Sequence, residues 1–519
     1  MNRLRRFMLN GFLMAIVTLV MRTVAVSFNI YISNKIGAVA MGLFGLIGTV
    51  YGFGITFATS GINLATTRLI AKALADDATI KSSAEKSTRV NCILKRCILY
   101  SVVFGSLATL ILYFFSDEIG IRILKDIRTV KSMKILAFTF VPLSLSSVIC
   151  GYFSAVRKVY KNALIQIFGQ GVKIYACIML ISILGATDTE SACIAVVLGG
   201  ALAELLSFLF GLAIFLFNKP RKQIELSPFE KRAYTGNVIK NAFPLALSAY
   251  MRSALVTIEH ILIPLGLEKS GASRDMSLAA YGIVGSMVFP LVLYPSAITS
   301  SFAGLLIPEI AESVEIGDKK RIQGISSSVI ETVLIFAIGC AGIIMSFSFE
   351  LGVQVYPKAQ GIGKYILMIA PLIPVMYLDT AVDSLLKGLG EQVYCMWVNI
   401  ADAFISVVLV AILLPKMGIT GYIITVYFTE ILNSALSITR LLVKSKIKTH
   451  AILWIGRPLF CIICSTKATH FLLNVKLIGT NIWVHIFISA LLYLLIMILT
   501  GGIKIKNTIK SLKYIFNTK

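Results

Sequence analysis

Charge is scarce in this chain, and acid most of all: 14% of its 519 residues are charged, with 25 Asp and Glu against 49 Lys and Arg. No soluble globular protein reads this way. A G-x-x-x-x-G-K-[ST] loop is missing, and so is a dinucleotide glycine pattern after a strand, which excludes nucleotide hydrolysis as a power source. No nucleophile and base are paired in a plausible soluble pocket, so an enzyme is disfavoured. The nine cysteines are scattered through apolar stretches without the spacing of a disulfide or zinc framework. Cys461 and Cys464 form a C-x-x-C inside an apolar run, where that spacing serves packing.

What is present is hydrophobic residues, 57% of the chain, with a mean hydropathy of +0.86. Apolar runs of about 20 residues, enough to cross a core of ~30 Å, recur from end to end. The short alternating segments of a β-barrel are absent, so the runs are helices. The predicted fold is all-α, a polytopic membrane protein with about fourteen transmembrane helices and no room for a separate soluble domain. The net charge of +24 does not call for nucleic acid. With the N-terminus inside, the inner segments hold about 32 Lys and Arg and the outer loops about 12, the positive-inside asymmetry. The expected location is the cytoplasmic membrane, multi-pass, with both termini cytoplasmic. One outer loop, 116–134, departs from the pattern with Arg122, Lys125, Arg128, Lys131 and Lys134. The basic start followed by an apolar run reads as a retained first helix, since it is too long for a signal peptide and no small-residue cleavage site follows.

An internal repeat organises the chain. Met21-Arg22-Thr23 corresponds to Met251-Arg252-Ser253, and Ala40-Met41-Gly42-Leu43-Phe44-Gly45 to Ala280-Tyr281-Gly282-Ile283-Val284-Gly285. Val159-Tyr160 corresponds to Val393-Tyr394, and Ala203-Glu204-Leu205-Leu206 to Thr429-Glu430-Ile431-Leu432, with extra residues in the loop 266–278. Six helices per half is an even number, so the copies run parallel, as in transporters whose halves rock about a midplane site. The expected domains are a bundle at 1–217, a cytoplasmic linker at 218–237, a second bundle at 238–443, and helices 13 and 14 with a basic tail at 444–519.

Polar residues at membrane depth must face a cavity or a partner. A guanidinium there costs from about 2.5 to more than 10 kcal/mol, so Arg22 and Arg252 are the leading candidates for binding a phosphate or pyrophosphate by paired hydrogen bonds. The alternative is a structural ion pair with a buried carboxylate. Arg68 joins them as a substrate-binding candidate or serves as an interfacial residue, and Asn29 is the neutral counterpart of Glu259. Glu259 lies two turns beyond Arg252 on the same face, about 10 Å away. With Asn399, Asp402 and Thr425 it would offer the hard oxygens a sodium ion prefers; the competing reading has Glu259 neutralising Arg252 or Lys173. Sodium or a proton is the candidate coupling ion, and no other cofactor is expected. Asp379 and Asp383 either line a cavity or relay protons, or end an ordinary salt-bridged helix with Lys387.

The segments Arg5-Arg6-Phe7 to Met21-Arg22, Met41-Gly42-Leu43-Phe44 with Ser60-Gly61-Ile62-Asn63-Leu64-Ala65, and Phe243-Pro244-Leu245-Ala246-Leu247 carry a resemblance. Lys387-Gly388-Leu389-Gly390, Asn399 and Gly418-Ile419-Thr420-Gly421 extend it over roughly residues 3–500. The chain resembles the multidrug, oligosaccharidyl-lipid and polysaccharide flippase superfamily, most of all its stage V sporulation protein B branch. The resemblance implies two six-helix bundles in a V around a cavity open to one face at a time. It implies as cargo a polyprenyl-pyrophosphate-linked oligosaccharide or lipid II-like precursor, for spore cortex or another polysaccharide. Membrane lipids and wall-synthesis enzymes are the partners implied, and helices 13 and 14 would make a groove for the lipid tail. The superfamily's lipid II flippases carry an arginine shortly before a Phe-Pro; here Gly285 precedes Phe289-Pro290, and Arg252 stands one helix earlier. Two other readings remain: a cation-coupled multidrug antiporter of the same fold, and a non-transporting scaffold for sporulation wall synthesis.

Overall fold

Backbone amides inside a bilayer have no water to bond, so long apolar runs satisfy them within helices. The computed structural model describes residues 2–59, 61–75, 83–184, 188–218, 228–359, 361–447, 452–474 and 481–502, and no strand occurs among them. Residues 219–227 of the expected linker 218–237 and the whole basic tail from 503 lie outside the described residues. The part of that linker from Pro228 onward is already helix.

Eleven helices among the described residues are long and apolar enough to cross a membrane. The number is twelve if Arg128–Ala137 and Phe140–Ala155, bent by 44°, make one span. The expected fourteen are not reached, for identifiable reasons. Val17–Leu74 counts once, yet 58 residues rise about 87 Å, almost three times a ~30 Å core. Ile419–Ser445 is long enough but is diluted by Thr425, Thr429, Glu430, Asn433 and Ser437.

Two units emerge. The early unit covers 38–282. It takes the second part of α1 (Asn2–Thr59), which is broken at Gly37 (φ 81°, ψ 175°), a conformation open to glycine. It continues through α2 (Ile62–Ala75), α3 (Ser83–Glu118), α4 (Arg128–Ala137), α5 (Phe140–Ala155), α6 (Val159–Ile183), α7 (Thr189–Asn218), α8 (Pro228–Lys269) and α9 (Arg274–Tyr281). The late unit joins 1–37 to 283–519. It contains α10 (Phe289–Leu293), α11 (Ser296–Ile316), α12 (Lys319–Ser346), α13 (Ser348–Val355), α14 (Ile362–Ile369), α15 (Ile373–Gly388), α16 (Gln392–Met417), α17 (Ile419–Ser445), α18 (Arg457–Asn474) and α19 (Ile482–Leu499). The edges of these units, at Gly37 and Gly282, do not coincide with the repeat boundaries near 217 and 238.

Lipid tails are as apolar as leucine, so close packing of small residues and polar contacts, not hydrophobic burial, holds membrane helices together. In the early unit α2, α3, α5 and α7 share a core of Ile62, Ile70, Ile93, Cys97, Val148, Phe153 and Phe215. The repeat-related glycines Gly42 and Gly282 meet in backbone contact. A Cβ on Gly42 would lie 1.9 Å from the Leu278 carbonyl oxygen, and one on Gly282 would lie 2.3 Å from that of Ala38. Each glycine thus faces the residue four before the other, which is a symmetric small-residue crossing. In the late unit α18 and α19 are zipped by Ser489 Oγ donating to Thr469 (2.9 Å) and by Ser465 donating to the Ser489 carbonyl. They dock on α12 where Gly339 admits the Tyr493 ring and Gly342 admits Ile462.

Candidate substrate and ion sites

The late unit contains a broken helix. The π-helical stretch Gly282–Val288 runs into α10, and Pro290 and Pro295 remove backbone donors before α11 begins. The carbonyls along this break find side-chain donors. Tyr356 Oη donates to Met287 (3.2 Å) and Tyr377 Oη to Val292 (2.6 Å). Leu293 accepts both Ser296 Oγ (2.7 Å) and Arg22 Nη2 (3.1 Å). Beside it the hydroxyls of Thr23 and Tyr294 are 3.0 Å apart. Arg22 is half-buried, with one donor given to Leu293 and a guanidinium that carries five. The arginine singled out by the repeat therefore stands at irregular backbone, the type of structure that lines cavities in transporters.

Arg252, Arg68 and Glu259 belong to the early unit. The face of α8 packed on α1 is set by Tyr250, Ser253 and Thr257. Tyr250 Oη donates to the Phe57 carbonyl (3.4 Å), Ser253 Oγ to Thr56 (3.3 Å) and Thr257 Oγ1 to the Thr49 carbonyl (3.3 Å). Arg252 lies off this seam and is exposed, Arg68 is exposed on α2, and Glu259 is half-buried. Asn29, in the late unit, receives a hydrogen bond from Ser33 (3.3 Å) on its side-chain oxygen.

The other cation-site candidates lie in the late unit. Asn399 Nδ2 donates to its own helix at Cys395 (2.7 Å) and Thr425 Oγ1 to Gly421 (2.9 Å), so each has one donor engaged on its own helix and keeps oxygen lone pairs. Asp402 is half-buried on α16. Sequence reasoning missed Asn433. The Asp379, Asp383, Lys387 ladder divides, with Lys387 pairing with Asp383 at 3.4 Å while Asp379 Oδ2 accepts Asn433 Nδ2 at 3.2 Å. Nothing in the sequence spacing pairs α15 with α17 here. The clue was only that Asn433 is a polar residue in an apolar run.

The basic loop 116–134 is explained by ion pairs. Arg122 meets Glu118 at 2.9 Å, Lys131 meets Glu190 at 2.9 Å and Lys134 meets Asp117 at 2.9 Å. Arg128 grips the buried Asp126 with two bonds, 2.9 and 2.8 Å, and reaches Asp275 at 2.9 Å. Arg274, in the extra loop of the second repeat, bonds Asp126 (3.4 Å), the Leu124 carbonyl (2.6 Å) and Glu268. Burial pushes the Asp126 carboxyl up, but the Arg128 bonds and the Arg274 charge outweigh it and hold it below the usual value. At the start of α16, Lys444 and Arg440 hold the Glu391 carboxyl down, the latter at 2.7 Å.

Residues 7–308 match the family described as polysaccharide biosynthesis protein. Stage V sporulation protein B of Bacillus subtilis (strain 168) is 22% identical over 435 residues, 82% of each chain. The structure of lipid II flippase MurJ in an inward closed conformation is similar with a TM-score of 0.69 and 14% identity, covering 93% of this chain and 98% of that one. An inward-facing multidrug resistance MATE family transporter of the MOP superfamily is similar with a TM-score of 0.61 and 15% identity, covering 84% of this chain and 100% of that one. The fold is that of the MOP superfamily.

Proposed function

We infer, from a chain that belongs to the polysaccharide biosynthesis protein family, that it is a flippase for a polyprenyl-pyrophosphate-linked sugar. The observation that carries this reading is the Arg22 guanidinium held at a helix break by the Leu293 carbonyl. A diphosphate offers several anionic oxygens, and guanidinium forks grip such groups bidentately. Arg252 is the second candidate cation, in the early unit with Arg68, and Asn29 is a further candidate contact in the late unit. Fold likeness to a lipid II flippase and sequence likeness to a sporulation protein support a peptidoglycan precursor as cargo, and the positive-inside charge pattern supports a cytoplasmic membrane location with both termini inside. Sodium or a proton would couple the cycle, with Glu259 as the candidate ligand in the early unit and Asn399, Asp402 and Thr425 as those in the late unit.

The likeness to a MATE family transporter favours a second reading, a cation-coupled antiporter of drugs. The purified protein in vesicles separates the two. Wild type moves labelled lipid-linked precursor across the bilayer, and Arg22→Ala lowers the rate by about tenfold or more, the worth of one charge-assisted hydrogen bond. Arg22→Lys keeps the charge without the fork and falls between. Unchanged precursor transport in the Arg22→Ala, Arg252→Ala double variant refutes the flippase reading, and export of a cationic dye by wild type in place of precursor selects the antiporter.

A further inference from the structure

The turn between α5 and α6 gathers cations and no anion. Arg157 takes up a left-handed conformation there (φ 58°). Lys158 caps α6 without a side-chain bond, and the first turn of α6 holds no acidic residue. Arg157 and Lys158 are exposed, but Lys161 is only 8% exposed. Its ammonium lies over the rings of Phe153 (5.3 Å) and Tyr160 (5.9 Å). Among the described residues, none of the three pairs with a carboxylate. The start of a helix adds roughly half a positive charge and unsatisfied N–H groups at the same point.

The repeat shows what is missing. Val159-Tyr160 corresponds to Val393-Tyr394, which sets Arg157 opposite Glu391. In the second copy Glu391 caps α16, meets Arg440 at 2.7 Å and also pairs with Lys444, while Arg440 stands 4.9 Å from the Tyr394 ring. There the protein supplies its own anion at the helix start. In the first copy the same position has the opposite charge, and among the described residues no carboxylate takes the place of Glu391. Directly along α6 run exposed Tyr160, Leu164, Ile167 and Phe168, spaced as a single helical face suited to acyl chains.

We propose that the N-terminus of α6, with Arg157, Lys158 and Lys161, binds the phosphate of an anionic phospholipid whose chains lie along the Tyr160–Phe168 face. The positive-inside pattern puts this turn at the inner leaflet. The test relipidates purified protein with equal phosphatidylglycerol and phosphatidylcholine and quantifies the retained lipid by mass spectrometry. Wild type retains phosphatidylglycerol preferentially. Arg157→Glu, which gives the first copy the acid of the second, lowers that retention at least about fivefold, the factor for one basic residue near an anionic surface. Lys161→Gln lowers it comparably, and Lys134→Gln, whose ammonium already faces Asp117, leaves it unchanged. Unaltered thermal midpoints in detergent show that these variants fold. Equal retention of both lipids by wild type overturns the proposal, as does undiminished retention in Arg157→Glu and Lys161→Gln together. Displacement of the lipid by excess inorganic phosphate with no trace of chain dependence would assign the site to free phosphate and overturn it too.

Discussion

Replacing Gly42 with alanine tests the crossing of the two repeats at its narrowest point. The new methyl carbon would sit 1.9 Å from the Leu278 carbonyl oxygen, so the helices must part by roughly 1.5 Å to reach ordinary contact. The obstacle is backbone and cannot rotate away. Overpacking of this type costs about 1–3 kcal/mol and more where the neighbour is rigid, and the helix-propensity gain of alanine over glycine returns only about 1 kcal/mol. A net loss of about 2 kcal/mol is expected, read as a lower thermal midpoint of the purified protein in detergent. Gly48 is the matched control: it lies one and a half turns further along α1, with nothing within 4 Å of its hypothetical Cβ. Gly48→Ala should equal or exceed wild type. Equal midpoints for Gly42→Ala and Gly48→Ala would refute the close crossing.

Asp126→Asn leaves Arg128 and Arg274 facing a neutral amide in a buried site, a loss of about 3–5 kcal/mol by the usual cost of breaking a buried pair, measurable by thermal unfolding. Because the folded Asp126 carboxyl is held below its ordinary value, its contribution is complete above that ordinary value of about 3.9. It is lost as the pH falls further, through the folded value, so unfolding midpoints should drop on acidification below about pH 4 in wild type and less in Asp126→Asn. Tyr377→Phe strips the Val292 carbonyl of its donor and should cost about 1–3 kcal/mol, while precursor binding by Arg22, measured separately, persists. Glu259→Gln should abolish any sodium dependence of transport in vesicles; transport rates that respond to sodium identically in both proteins would exclude Glu259 from the ion site.

The residues differ in how far sequence alone revealed them. Apolar length sufficed for the helical class but not for the number of spans, and the register of the repeat singled out Arg22 and paired Gly42 with Gly282. The basic loop read as an exception because two of its neutralising carboxylates, Glu190 and Asp275, come from distant parts of the chain, Asp275 lying 147 positions from Arg128. Tyr356 and Tyr377 gave no signal: a phenol bonded to a backbone carbonyl leaves no spacing pattern, and only the path of the chain brings them to the prolines of the break. Asn433 was hidden for the same reason, being defined by the helix beside it and not by its own neighbours in sequence.

The grip of Arg274 on Asp126 has a consequence for biogenesis. The loop around Asp126 is synthesised long before Arg274, 148 positions downstream, leaves the ribosome. Until then the nascent hairpin has Arg128 alone to shield its buried acid. The loop 116–134 of the first repeat therefore reaches its final form only when the beginning of the second has been threaded into the membrane, and a chain truncated before α9 would display it half-assembled.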